Sequence, residues 1–189
     1  MKSLIVYTNP GHAGIAIDDG KGNLETYNYG HVAALGNYVK ASTSFNIAAN
    51  IGLIAAAMTV YALGGMYAAS ELIPHTNEAL TTTVGTICAT YAAVVCPTKG
   101  ILVEDAQYDY TEEGRNKVFK VAITDDQYNN IKKEISSYKK SLYSLGLSNC
   151  AGFARSIIKA AGIELSNKLI NTPRSLEKEI RRHTRFITP

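Results

Sequence analysis

Two stretches with no charged side chain, residues 41–70 and 79–98, interrupt this chain of 189 residues and limit its fold more than any other feature. Both are rich in Ala, Gly and Thr, and each is long enough to cross a bilayer as a helix. Gly52, Ala55-Ala56-Ala57, Gly64-Gly65 and Ala68-Ala69 are small enough to let two helices approach closely. Glu71, His75 and Glu78 separate the stretches. Asn46, Asn50, Thr59 and Thr81-Thr82-Thr83 are polar for a lipid face, and Leu and Ile are sparse beside Ala. That balance favours a packed helical hairpin over a pair of membrane spans. A hairpin that opens to meet a membrane or a carrier would satisfy both patterns.

The flanking sequence has a different character. Leu4-Ile5-Val6-Tyr7, the run from His12 to Ile17 and Leu24-Glu25-Thr26-Tyr27-Asn28-Tyr29 read as strands, the last two joined by the turn Asp18-Asp19-Gly20-Lys21-Gly22-Asn23. Strand character returns at Ile101-Leu102-Val103 and from Lys117 to Ile123. Helices follow. Thr124-Asp125-Asp126-Gln127 is a capping box opening a helix from Asp125 to about Leu145, with Gly146 as its stop. A second helix starts at Cys150 and runs to about Ala161, where Gly162 is a C-terminal signal. A third starts near Thr172-Pro173, since proline suits a first turn. The expectation is an α+β fold, an antiparallel sheet packed on helices, forming a single domain over 1–189 with an apolar helical insertion at 41–98.

The bulk chemistry excludes several classes. A net charge of +3 is small, and Lys132-Lys133, Lys139-Lys140 and Arg181-Arg182 are interleaved with Glu134, Glu177 and Glu179, so no nucleic-acid stripe is present. Three cysteines at irregular spacing do not make a disulfide framework, and Cys88 and Cys96 sit among small apolar residues as core fillers. There is no HExxH, no CxxC pair, no ligand-spaced carboxylate cluster and no phosphate-binding glycine loop, so neither metal nor cofactor is expected. The N-terminal apolar run is too short for a signal peptide, which implies synthesis in the cytoplasm and a dedicated export route for any action elsewhere.

What chemistry remains centres on Asn149-Cys150. A thiol in the first turn of a helix feels the positive end of the helix dipole, which lowers its pKa toward a reactive thiolate. Small or polar neighbours (Ser148, Asn149, Ala151, Gly152) leave room for a substrate, and the helix-start N–H of Cys150 can serve an oxyanion. His12 opens a strand between Gly11 and Gly14, where nothing bulky crowds its ring, and makes the natural base. His75 and His183 lie in a helix connection and a basic tail, and only His31 is also near the sheet. A hairpin centred between Gly20 and Lys21 sets His12 opposite about Tyr29, which makes Asn28 the expected third residue, orienting the imidazole. Glu25 and His31 take that place if the register slips.

These residues resemble a known family. Gly-His-Ala-Gly-Ile-Ala-Ile at 11–17, Thr-Asp-Asp-Gln-Tyr at 124–128, Tyr143 with Ser148-Asn149-Cys150-Ala151-Gly152-Phe153-Ala154, and Ala161-Gly162-Ile163 with Thr172-Pro173 look like the circularly permuted NlpC-type papain-like cysteine peptidases. In that branch the histidine strand precedes the cysteine helix. Lecithin:retinol acyltransferase-like proteins share this order and an Asn-Cys motif. The resemblance covers about 4–31 and 100–175 and leaves out the insertion at 41–98. It implies a permuted papain-like fold with Cys150 as nucleophile, His12 as base and a polar third residue on the next strand. It further implies a hydrolase acting on amide bonds of peptidoglycan peptides. Some members are delivered by type VI secretion as antibacterial effectors, which implies action in a target-cell periplasm, a secretion carrier and an immunity protein as partners, and membrane contact through 41–98. The same thiol–imidazole pair serves acyl transfer, lipid-acyl hydrolysis, deamidation and transglutamination. A membrane-active protein with a vestigial site is the reading from outside enzymes.

Overall fold

The computed structural model describes residues 1–31, 44–72, 78–95, 98–104, 117–139, 141–144, 146, 148–168 and 170–187. Its elements are β1 (Ser3–Asn9), β2 (His12–Asp18), β3 (Leu24–His31), α1 (Ser44–Leu72), α2 (Glu78–Val95), β4 (Thr98–Glu104), β5 (Lys117–Ala122), α3 (Asp125–Tyr138), β6 (Leu142–Tyr143), α4 (Cys150–Ala160) and α5 (Pro173–Ile180). The order β5-β1-β2-β3-β4 makes an antiparallel sheet, to which the two-residue β6 adds at the β4 edge. The expected α+β class holds, and the chain reads as helix-covered antiparallel sheet with a helical pair between β3 and β4.

Side-chain alternation divides the sheet into two faces. Leu4 opposes Ile17, Val6 opposes Ile15 and Phe119, and Tyr27 opposes Ile15, so these residues share one face. It packs on Ile131 and Ile135 of α3, Phe153, Ile157 and Ile158 of α4, and Leu176 and Ile180 of α5 in one buried cluster. The other face carries Ile5, Tyr7, Ala16, Thr26 and Asn28, all buried. An aromatic knot fixes α4 on the sheet. Tyr29 meets Tyr138 edge-on at 5.0 Å, Tyr138 meets Phe153 at 4.9 Å, and Tyr143 lies 5.6 Å from Tyr29. Gly100 is the price of that knot, because a Cβ there would run into the Tyr29 ring.

The turn between β2 and β3 spans five residues, 19–23, with Asp19 accepting from the N–H groups of Lys21 and Asn23 and with Gly20 and Gly22 at positive φ. Its centre is Lys21, so Ile15 opposes Tyr27, one residue away from the expected register. The expected capping box forms between Thr124 and Gln127, Pro173 opens α5 as expected, and a second box, not foreseen, joins Thr172 to Ser175. Gly162 takes φ 69° just beyond α4.

The helix expected to run from Asp125 to about Leu145 ends at Tyr138. Ser136 and Ser137 turn their hydroxyls back onto the carbonyls of Lys132 and Glu134, and Lys139 closes a tighter turn onto Ser136. Leu142 and Tyr143 then pair with Lys99 and Thr98. In the insertion, α1 and α2 pack on each other at small residues: a Cβ on Gly65 would strike Cys88 Sγ, and one on Gly85 would meet Met66. No helix among the described residues is long and apolar enough to cross a membrane. Cys88 is half-buried at that helix contact, as a filler should be, while Cys96 and His75 lie outside the described residues.

Candidate functional site

Cys150 is the first residue of α4, and Asn149 caps it. The Asn149 side-chain oxygen accepts the Gly152 N–H at 2.9 Å, and its carbonyl accepts the Phe153 N–H. The Asn149 amide group donates to the Asn171 carbonyl at 2.7 Å, tying the cap to the segment before α5. With Gly152 and Phe153 engaged, the N–H groups of Cys150 and Ala151 are left to the thiol, and both hydrogen-bond it.

The sulfur has one more backbone donor, the N–H of Ala13. That N–H belongs to the peptide link between His12 and Ala13, so the thiol sits against the start of β2. His12 follows the two-residue turn Pro10-Gly11, where Asn9 pairs with His12 across the hairpin. Its Nε2 lies 2.7 Å from the Asn28 side-chain oxygen. An amide oxygen only accepts, so Nε2 carries the hydrogen and Nδ1 is the basic nitrogen. The same oxygen accepts from the Tyr7 hydroxyl at 2.8 Å. Two donors on its two lone pairs hold Asn28, which is 4% exposed.

Tyr7 reaches Asn28 by crossing Gly14, its partner in the β1–β2 register. A Cβ on Gly14 would collide with the Tyr7 ring and hydroxyl, so a glycine at this point is a condition of the contact. Sequence reasoning placed His12, Asn28 and Cys150 and missed Tyr7. The signal was present: a two-residue Pro10-Gly11 turn pairs position 7 with position 14, and a tyrosine opposite a glycine can lie over it.

Burial governs the charge state of the site. Cys150 is 5% exposed, and desolvation pushes its thiol above the ordinary 9.0, outweighing the donors Ala13, Ala151 and Cys150 itself. The expectation of a helix-lowered thiol pKa is therefore corrected: the dipole and its N–H groups act in the expected direction, and desolvation wins. Burial also lowers the His12 pKa below 6.5, against the raising effect of Asn28. In the resting protein both members are neutral. Tyr143, beside Cys150, is pushed up by burial and then by its proximity to the thiol and to Tyr29.

The other candidates have separate occupations. Glu25 pairs with Lys132 and accepts from the Tyr27 hydroxyl, and Lys132 also lies 2.6 Å from that hydroxyl. His31 ends β3, opposite Gly100. His183 stacks edge-on against Phe186 at 6.1 Å. Among the described residues no three His, Cys, Asp or Glu side chains gather closely enough to hold a metal ion. No family model, curated protein sequence or solved structure matches the chain.

Proposed function

We propose that this protein is a cysteine hydrolase of permuted papain-like (NlpC-type) architecture that cleaves amide bonds in peptidoglycan peptides. The observations that carry the reading are the contact of the Cys150 sulfur with the His12–Ala13 peptide N–H and the holding of the His12 imidazole through Nε2 by Asn28. Such a pair needs a thiol at a helix start, a base on a neighbouring strand and an orienting group behind the base.

In the proposed reaction Nδ1 of His12 takes the proton of Cys150 as the thiolate attacks the amide carbonyl. The carbonyl π electrons move to oxygen, and the first-turn N–H groups of Cys150 and Ala151 stabilise that oxyanion. The tetrahedral species collapses, the C–N bond breaks, and His12 returns its proton to the leaving amine. Water, deprotonated by His12, then adds to the thioester carbonyl and releases the carboxylate and the thiol. Because both groups start neutral, proton transfer accompanies attack. By the same resemblance the protein would act in a target-cell periplasm after export by a type VI-like route, with a carrier and an immunity protein as partners.

Digestion of purified peptidoglycan by wild type and by Cys150→Ala, with products read by mass spectrometry, tests this reading. New muropeptides from wild type alone support it and identify the bond. Unchanged peptidoglycan with wild type sinks it.

One observation favours a second substrate class for the same thiol. Val60, Leu63 and Tyr67 of α1 and Ile87 and Tyr91 of α2 are each at least 60% exposed, an apolar surface suited to lipid. Acyl release from phospholipid vesicles, measured with the same two proteins, separates a lipid-acyl hydrolase or acyltransferase from a peptidase. Vesicle leakage that survives Cys150→Ala would instead place function in the hairpin.

A further inference from the structure

Charge is divided unevenly along the chain. Residues 1–114 hold four Lys and Arg against ten Asp and Glu, whereas residues 115–189 hold fifteen against six. The second part supplies β5, the helices α3, α4 and α5 that cover one face of the sheet, and the tail. Folding therefore gathers the positive excess in and beside the helical layer, where it can attract an anionic partner.

Ion pairs cancel part of that excess. Lys120, Lys132 and Lys139 reach back to Asp18, Glu25 and Glu104 of the first part. Glu177 of α5 pairs with Arg181 at 2.9 Å, and Glu179 turns inward to Arg155 at 2.7 Å. Both glutamates interleaved with the basic residues of α5 are thereby engaged. Arg174, Lys178 and Arg182 stay exposed, with no ion-pair partner among the described residues. Arg174 and Lys178 are four residues apart on α5, and Arg182 follows four later in the turn that its N–H closes onto the Glu179 carbonyl. The three share the face opposite Leu176 and Ile180, which α5 buries. Successive members are about 6 Å apart along the axis. Like charges at this spacing destabilise a helix, so a stripe of three without a counter-charge points to anions supplied from outside.

The stripe is tied to the thiol through the backbone. α5 starts two residues after Asn171, whose carbonyl is held at 2.7 Å by Asn149, the cap of the Cys150 helix. The first cation is thus fixed three residues beyond that tie. Peptidoglycan peptides carry free carboxylates on side chains and chain ends. Carboxylates two residues apart on an extended peptide are roughly 7 Å apart, close to the spacing of the stripe. We propose that Arg174, Lys178 and Arg182 form a docking surface for the carboxylates of peptidoglycan peptides, holding the polymer beside the helix that carries the thiol. This assignment rests on the reading of the protein as a peptidoglycan hydrolase.

The test sediments the full chain carrying Cys150→Ala with insoluble peptidoglycan, so that binding is read without cleavage. The expected result is saturable binding that weakens about tenfold as salt rises from about 0.05 M to about 0.5 M. Converting the carboxylates of the peptidoglycan to amides should weaken it by a similar factor. Arg174→Gln/Lys178→Gln should lose roughly fivefold or more in affinity and keep its melting temperature, because both side chains are exposed and like-charged. Lys21→Gln/Lys133→Gln removes the same charge from exposed positions outside the stripe and should bind as the parent does. Binding indifferent to salt or to amidation, equal losses in the two double variants, or anionic phospholipid vesicles bound as tightly as peptidoglycan would each overturn the proposal. Wild type that binds through the stripe yet leaves peptidoglycan uncut would remove the hydrolase reading and keep the docking surface. Cleavage with affinity unchanged in Arg174→Gln/Lys178→Gln would do the reverse.

Discussion

The sheet and the helical hairpin both depend on glycines where bulk is forbidden, but for different ends. In the sheet, Gly14 clears a path for the Tyr7 hydroxyl to reach Asn28, and Gly100 lets Tyr29 lie over β4. In the hairpin, Gly65 and Gly85 let one helix settle on the other against Cys88 and Met66. The first use places hydrogen bonds, and the second places surfaces. The sheet hides most of its large side chains, leaving Leu24 and Leu142 exposed at its ends, whereas the hairpin leaves Val60, Leu63, Tyr67, Ile87 and Tyr91 outside. A region that fixes polar atoms in place is suited to chemistry; one that exposes apolar area is suited to contact.

The largest effect should come from Gly14→Ala. The new methyl displaces the Tyr7 ring, Asn28 loses one of its two donors, and the His12 ring loses its fixed anchor. Small-to-large changes in tight packing cost about 1–3 kcal/mol, so the protein should still fold. Misplacing a catalytic group by an ångström costs on the order of a hundredfold in rate. Hydrolysis assays should show that loss in kcat with little change in KM, while circular dichroism stays native. A fully active Gly14→Ala protein would show that the Tyr7–Asn28 contact does not serve the site.

Next in size is the response to pH. A neutral resting pair means that the thiolate of Cys150 is a minor species at neutral pH, its fraction growing as pH rises toward a pKa held above 9.0 by burial. Alkylation by iodoacetamide should therefore climb about tenfold per pH unit through neutrality, without a plateau. A plateau below pH 7 would mean that the imidazolium–thiolate pair exists before substrate arrives, and the contrast between buried chemistry and exposed contact would weaken. Stability follows by linkage. Below 6.5 the unfolded chain takes up the His12 proton first, so stability falls as pH drops toward the lower folded value. Above 9.0 the unfolded chain loses the Cys150 proton first, so stability falls again as pH rises. Denaturant titrations across pH should show both declines, and His12→Gln should remove the part of the acidic one that begins at 6.5, leaving the loss at lower pH from carboxylates such as Glu179 and leaving the basic decline intact.

How far the sequence could be read follows the same division. Strands, capping boxes, the Gly162 stop and the hairpin helices are local in origin, set by alternation, by side chains three residues apart and by composition, and they fold as those patterns require. His12 and Asn28 were legible as a pair because a hairpin register carries one strand's positions onto the next, whereas Cys150 was read separately, from its place at a helix start. The register itself slipped by one, because the Asp19 side chain organises a five-residue loop where a symmetric turn was expected. The end of α3 depended on Leu142 and Tyr143 being drawn to β4, a partner far away in sequence. The charge state of Cys150 was misjudged because the helix dipole is local, whereas burial is a property of the whole packed core.

A smaller effect should follow Tyr7→Phe, which removes one donor to Asn28 and adds no bulk. A lost neutral hydrogen bond costs about 0.5–1.5 kcal/mol. His12 keeps Asn28 as its partner, so activity should fall only a few-fold, in kcat, and the His12 ring nitrogen shifts should move in NMR spectra. Those shifts distinguish a positioning role from simple packing. Unmoved shifts with lowered stability would make Tyr7 a core residue only, and Gly14 a matter of packing like its counterparts in the hairpin.

The smallest effect is a control within the hairpin. Gly64 and Gly65 are neighbours in α1, yet a Cβ on Gly64 meets nothing within 4 Å while one on Gly65 strikes Cys88 Sγ. Helical glycine costs about 0.5–1 kcal/mol relative to alanine, so Gly64→Ala should raise the melting midpoint slightly. Gly65→Ala should lower it, and Cys88→Ala in the same chain should restore much of the loss by vacating the space. Neither change should alter the pH dependence of Cys150 alkylation. If Gly65→Ala did shift that profile, helix packing in the hairpin would be coupled to the thiol, and the two regions would have to be treated as one mechanical unit.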